Sequence, residues 1–202
     1  EHSQSPVLYS GRLYATGWWQ RGLTCNSSSE TLFSTIARTA TNGNFYDNPD
    51  ACCPDWRTQG YADDGQAATL DSASNYIAVG RGKYDSYLSV NGALVIKYLP
   101  GLEGVKWWVR TTEDFRYYGV DTGASDLIVV TGYRTVNNQD DLVVRKYNSS
   151  GQSVWVTTYN GSANGPDVGR AVAIDAAGYI YVVGHESVLG QGDNILIRKL
   201  AP

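Results

Sequence analysis

The chain has 202 residues, enough for one substantial hydrophobic core or two small ones, and carries a net charge of −4 with 18% of its residues charged. That acidic, lightly charged balance lacks the basic footprint a phosphate backbone requires, so no nucleic-acid partner is expected. No apolar run approaches the ~20 residues a membrane-crossing helix needs, so no membrane span is expected.

The opening Glu1-His2-Ser3-Gln4-Ser5 is polar, no methionine occurs anywhere, and Gly, Tyr, Ser, Thr and Asn are abundant. This fits a mature chain that has lost a leader, and predicts a secreted, extracellular location. The first apolar runs extend from Val7 to Gly17 around the turn Ser10-Gly11, and a further run covers Thr31 to Arg38. A Pro- and Asn-bearing insertion, residues 40–55, then leads to Trp56-Arg57-Thr58. The same order returns at Ala67 to Gly80, Ala93 to Tyr98 and Trp108-Val109-Arg110. It returns again at Tyr118 to Gly132, Leu142 to Tyr147 and Trp155-Val156-Thr157, and finally at Ala171 to Gly184 and Ile195 to Leu200.

The glycines that close the paired runs stand at 17, 80, 132 and 184, and the last two intervals are both 52. Three series at matching offsets define an internal repeat. Each unit reads as four short runs: A (as in Ala171 to Asp175), B (Tyr179 to Val183), C (Ile195 to Leu200) and D (Trp155 to Tyr159). The runs are strand-length and no stretch holds a helical period. The A–B connections, Asp71 to Asn75 and Asp175 to Gly178, carry hairpin turn chemistry: Asp caps the turn, and Gly or Asn accepts a positive φ. The expected fold is therefore all-β: a single-domain β-propeller over residues 1–202, with four visible four-stranded antiparallel repeats at roughly 6–60, 61–112, 113–160 and 161–202. Strand A of the first unit reads as shortened, and the fourth unit lacks its outer D run.

Unit four, Asp167-Val168-Gly169-Arg170-Ala171-Val172-Ala173-Ile174-Asp175-Ala176-Ala177-Gly178-Tyr179-Ile180-Tyr181-Val182-Val183-Gly184, resembles the β-propeller repeat of secreted bacterial proteins. In unit three, Asp141 to Trp155 resembles the second half of that repeat. The resemblance covers nearly the whole chain, is weakest in unit one, and implies a propeller outside the cell with no particular reaction. It favours more than four units per ring. The four units are thus expected to close alone, to share a larger ring with a second chain, or to accept a neighbour's strand at the open edge of unit four.

Antiparallel order places the start of A, the end of B, the start of C and the end of D at one end of every unit. That end collects Trp18, Trp19, Arg81, Tyr133 and His185 just after the B glycines, and Asp64, Asp114 and Asp167 just before the A runs. Aromatic faces stack on sugar rings while carboxylates and amides accept from hydroxyls, so a glycan or other polar extracellular ligand is the expected partner. The aspartates recur once per unit, which equally suits hydrogen bonding to a loop backbone. The tryptophans at 56, 108 and 155 read as packing residues of the D strands, and Tyr14, Tyr76 and Tyr181 as core.

Cys25, Cys52 and Cys53 are odd in number. In an oxidising compartment, Cys25 can bridge Cys52 or Cys53, adjacent cysteines can pair, or one thiol can bridge two chains. Sequons stand at Asn26, Asn148 and Asn160 as candidate glycosylation sites. Only His2 and His185 occur, with neither a nucleophile elbow nor a zinc pair, and Gly80-Arg81-Gly82 is too short for a phosphate loop. No catalytic residue, metal site or cofactor is expected, and no enzyme. Calcium on aspartates and carbonyls is compatible with the acidic loops, although the D-x-D-x-D-G loop is missing. Two functional readings result: a non-catalytic, lectin-like binding module, and a structural protein that self-assembles as a homo-oligomer through the open edge of its last unit.

Overall fold

The computed structural model describes residues 2–9, 12–20, 31–39, 64–82, 92–102 and 104–202, with the backbone alone in the first three segments apart from Val7. These residues form antiparallel sheets in which sequence neighbours are spatial neighbours. Sheet one holds β1 (His2–Tyr9), β2 (Arg12–Gln20) and β3 (Thr31–Thr39). Sheet two holds β4 (Asp64–Leu70), β5 (Tyr76–Gly82), β6 (Gly92–Tyr98) and β7 (Val105–Arg110). Sheet three holds β8 (Phe115–Thr122), β9 (Ile128–Val136), β10 (Gln139–Tyr147) and β11 (Ser153–Tyr159). Sheet four holds β12 (Val168–Ile174), β13 (Ile180–Val188) and β14 (Gly192–Leu200). The only helical pieces among the described residues are single 3-10 turns at Pro100–Leu102 and Ala124–Asp126.

The chain is thus all-β, and units two and three have the four strands expected of them. Unit four has three, as the missing D run predicts. Strand A of unit one is not shortened. β1 reaches back to His2 and pairs with β2 as far as Trp18, so the polar opening residues belong to the strand. The D run of unit one, with Trp56, lies outside the described residues.

Local chemistry explains the turns. Asp71 Oδ1 accepts the N–H groups of Ala73 and Asn75, and Asp175 Oδ1 accepts those of Ala177 and Tyr179. Gly178 takes a φ of 87° there, while in the corresponding turn it is Ser74, not Asn75, that turns positive, at 62°. The β9–β10 hairpin closes on Asn137 and Asn138, both at positive φ, the left-handed pair a two-residue turn demands.

Because strand residues alternate, each sheet has two faces, and both are apolar in the middle of the molecule. The backward face of sheet two, Tyr76, Ala78, Leu94, Ile96 and Tyr98, packs with Val7 of sheet one. Its forward face, Ile77, Val79, Ala93 and Val95, packs on Phe115, Tyr117, Ile128, Val130 and Val143 of sheet three. Sheet three in turn presents Val129, Leu142 and Val144 to Ile180, Val182 and Leu196 of sheet four. Polar bonds lock the same seams: Thr122 Oγ1 donates to the Leu70 carbonyl at 2.8 Å, and Ile174 N–H donates to Asp121 Oδ2 at 2.8 Å. The sheets therefore stack in sequence order, one to two, two to three and three to four. Among the described residues no substantial contact joins sheet four to sheet one.

The tryptophan series needs correction at one position. β7 places Trp107, not Trp108, opposite Lys97, as β11 places Trp155 opposite Lys146. Trp107 packs on the core between sheets two and three and donates its indole N–H to the Ser149 carbonyl at 3.0 Å. Trp108 faces outward and is 50% exposed. Alternation decides between two adjacent tryptophans, and only the register tells which one lies inward.

Candidate ligand-binding site

The strand order brings the start of A, the end of B and the start of C to one end of each sheet, as expected. Asp64 lies opposite Arg81, Arg116 opposite Tyr133, and Val168 opposite His185. Arg81, Tyr133 and His185 therefore occupy one repeat position, each half-buried directly after its glycine. Trp18 and Trp19 lie on β2 just after Gly17, but their side chains are outside the described residues, as are the three cysteines and Asn26.

The three aspartates do not share a position. Asp64 corresponds to Arg116 and Val168, whereas Asp167 stands one residue earlier in its unit and Asp114 two. Their roles differ accordingly. Asp167 is fully buried and accepts N–H groups from Gly161 and Ser187, at 2.5 and 2.8 Å, which ties the loop between β11 and β12 to the end of β13. Asp64 binds side chains: it pairs with the Arg116 guanidinium and accepts from Gln66 Nε2 at 2.6 Å. Asp114 Oδ1 is buried without a hydrogen-bond partner among the described residues. Replacing Asp167 by alanine leaves two buried donors unpaired and is expected to cost about 2 kcal/mol of stability, read as a lowered denaturant midpoint.

Three residues that sequence reasoning passed over complete this end. The A strands of units two, three and four each carry a bulge against the B strand, between Gly65 and Ala67, Tyr117 and Gly119, and Gly169 and Ala171. The extra residues are Gln66, Tyr118 and Arg170, each fourteen residues before the closing glycine of its unit. A bulged residue leaves the ladder and its side chain is re-aimed, which makes the position free to vary. Here the Tyr118 ring lies 6.0 Å from that of Tyr133, with the guanidinium groups of Arg116 and Arg170 at 5.1 and 4.6 Å from its centroid. A constant offset with a changing polar residue was the signal available in the sequence.

Electrostatically the end is mixed. Burial and the neighbouring Tyr118 push the Tyr133 hydroxyl up, against the pull of Arg81, so it stays a neutral hydrogen-bond donor across the physiological range. Burial, followed by the nearby Asp167, raises the Asp141 carboxyl. Arg81 Nε, Arg116 Nε and Asp141 Oδ1, like Asp114 Oδ1, are buried with no hydrogen-bond partner among the described residues. Native proteins leave few such groups unpaired.

No family model matches this chain, and no curated protein matches it. The site is therefore read from its own geometry. Stacked aromatic and guanidinium faces beside carboxylates can take a ring with hydroxyl or acidic substituents. Among the described residues no group of three His, Cys, Asp or Glu side chains is placed to hold a metal ion. The sequon at Asn148 lies in the β10–β11 turn at the opposite end of sheet three, whereas Asn160, exposed, opens the β11–β12 loop that Asp167 holds at this end.

Proposed function

We propose that this chain is a secreted, non-catalytic β-propeller module that binds a glycan or another polar extracellular ligand at the loop-bearing end of its sheets. The observation that carries this reading is the convergence of Tyr118, Tyr133, Arg116 and Arg170 from sheets three and four, with Asp64 contributed by sheet two. These residues vary from unit to unit while the strands around them repeat, as suits a site placed on a repeated frame. The propeller and the extracellular location draw support from the repeat and from its resemblance to that of secreted bacterial proteins.

The test is retention on a panel of immobilised polysaccharides. The native chain is expected to be retarded on at least one. Tyr133→Ala and Arg170→Ala are each expected to weaken that binding about tenfold, equivalent to ~1.4 kcal/mol, with unchanged near-UV circular dichroism. No retention on any matrix, or equal retention by both variants, overturns the reading. Asp167→Ala provides the contrast, with stability lost and retention kept while the chain stays folded.

A second reading, an extracellular structural protein that self-assembles, is favoured by the three-stranded fourth sheet and by its uncovered apolar face.

A further inference from the structure

The forward face of sheet four has the residues of an interior seam and the exposure of a surface. Strand pairing aligns the sheets: Gly80, Gly132 and Gly184 face Leu94, Val143 and Leu196 across the B–C ladder. Counting from those pairs, the forward positions Val79, Ala93 and Val95 of sheet two correspond to Val183, Ile195 and Ile197 of sheet four. In sheet two all three are fully buried against sheet three. In sheet four Ile195 is 82% and Ile197 70% exposed, and Val183 is exposed as well. The lysines correspond too. Lys97 is buried, with its ammonium 3.5 Å from the Ser149 carbonyl of the sheet in front, whereas Lys199 is exposed and lies over the rings of Tyr179 and Tyr181. Two large β-branched residues standing side by side in water are not accounted for by the scattered apolar exposure of ordinary surfaces.

What covers each forward face inside the chain is always the backward face of another copy of the same repeat. One backward face in the chain has no described sheet behind it, that of sheet one. Its register positions are apolar: Leu8 pairs with Leu13 and Ala15 with Ile36, where sheet two has Leu70 with Tyr76 and Ala78 with Ile96. Among the described residues of one chain these two ends share no substantial contact. We propose that the forward face of sheet four docks sheet one of a second copy of this chain, and that two copies joined in this way at both ends complete a ring of eight sheets. Eight is within the ~4–8 units that such rings hold. The contact is heterologous, since a forward face meets a backward face, and closure after two copies ends the assembly. The proposal rests on the propeller reading of the repeat and is independent of ligand binding.

The experiment is native mass by light scattering over a hundredfold range of concentration, for the 202-residue chain and two variants. The native chain is expected at twice its 22.0 kDa mass, dissociating on dilution. The double variant Ile195→Asp/Ile197→Asp is expected at the single-chain mass at every concentration. Because both side chains are exposed within the chain, that variant keeps its far- and near-UV circular dichroism. Val154→Asp changes another exposed apolar residue, on β11 and away from the face, and is expected to leave the mass doubled. A native chain that stays at the single-chain mass throughout, or a double variant that still dimerises, overturns the proposal. So does a double variant that stays at the single-chain mass but has lost its circular dichroism, because it shows the face to be covered within one chain. Polysaccharide retention is read separately, so either reading can fail alone.

Discussion

Asp71→Ala is expected to destabilise the fold by about 3–5 kcal/mol, because it strands a buried ammonium. Asp71 Oδ2 and Lys97 Nζ are 2.6 Å apart, with side chains 0% and 2% exposed. The same carboxylate also holds its turn, accepting from Ala73, from the Asn75 backbone and from Asn75 Nδ2. Burial pulls the Asp71 carboxyl upward, but the bonds from Lys97 and Asn75 outweigh it and hold it below its ordinary value. A folded-state value lower than the unfolded one means that the carboxylate contributes its full stabilisation above about pH 4. That contribution fades as the pH falls from there through the folded-state value. Denaturant midpoints at pH 7 and pH 3 check both parts: the gap between native and Asp71→Ala chains is wide at pH 7 and narrows at pH 3. A gap of equal size at both values would mean that packing, and not charge, carries the loss.

Gly132→Ala is expected to cost about 3 kcal/mol, the upper range for a side chain forced into filled space. A Cβ at Gly132 would fall well inside contact distance of the Arg116 carbonyl oxygen, and at Gly80 and Gly184 it would meet the carbonyls of Asp64 and Val168 in the same way. Each glycine faces the residue just before its A-strand bulge, where the two backbones approach too closely for any side chain. For a chain of this length the loss corresponds to a fall in melting temperature of about 6–12 °C. Gly190→Ala serves as a reference, since a Cβ there has open space around it. The positive φ of Gly190, 77°, adds only backbone strain.

These glycines also show how much of the molecule the sequence reveals. Their period was legible, and with it the strands, because a site where only glycine fits must reappear in every unit. The bulge that imposes the requirement was not legible, since an extra residue in a strand leaves no change in hydrophobic pattern. With the bulge unseen, Asp64, Asp114 and Asp167 looked equivalent by their distance to the turn aspartate, and Tyr118 and Arg170 looked like ordinary strand residues. Asp121 lies within β8, two residues before Gly123, which holds the position of Asp71 and Asp175, and so the same count slipped by two residues there. Trp108 was chosen over Trp107 for a related reason: two tryptophans in a row satisfy either register. Local turn chemistry read well at Asp71 and Asp175, where the bonds stay within five residues. The ion pair of Asp64 with Arg116 spans two sheets and could not be seen from either one.

A stack in which each sheet packs on the one before and the one after behaves as a linear series of couplings. Its interior members, sheets two and three, are clamped on both faces, while sheet four is clamped on one. Stability in such a series is a sum of unit terms and seam terms. Disturbance at one seam weakens with each unit crossed, so the end sheets can exchange with solvent while the middle holds. The same arithmetic makes the array extensible. A whole unit inserted between two others meets faces already shaped for it, and the rest of the chain registers no change.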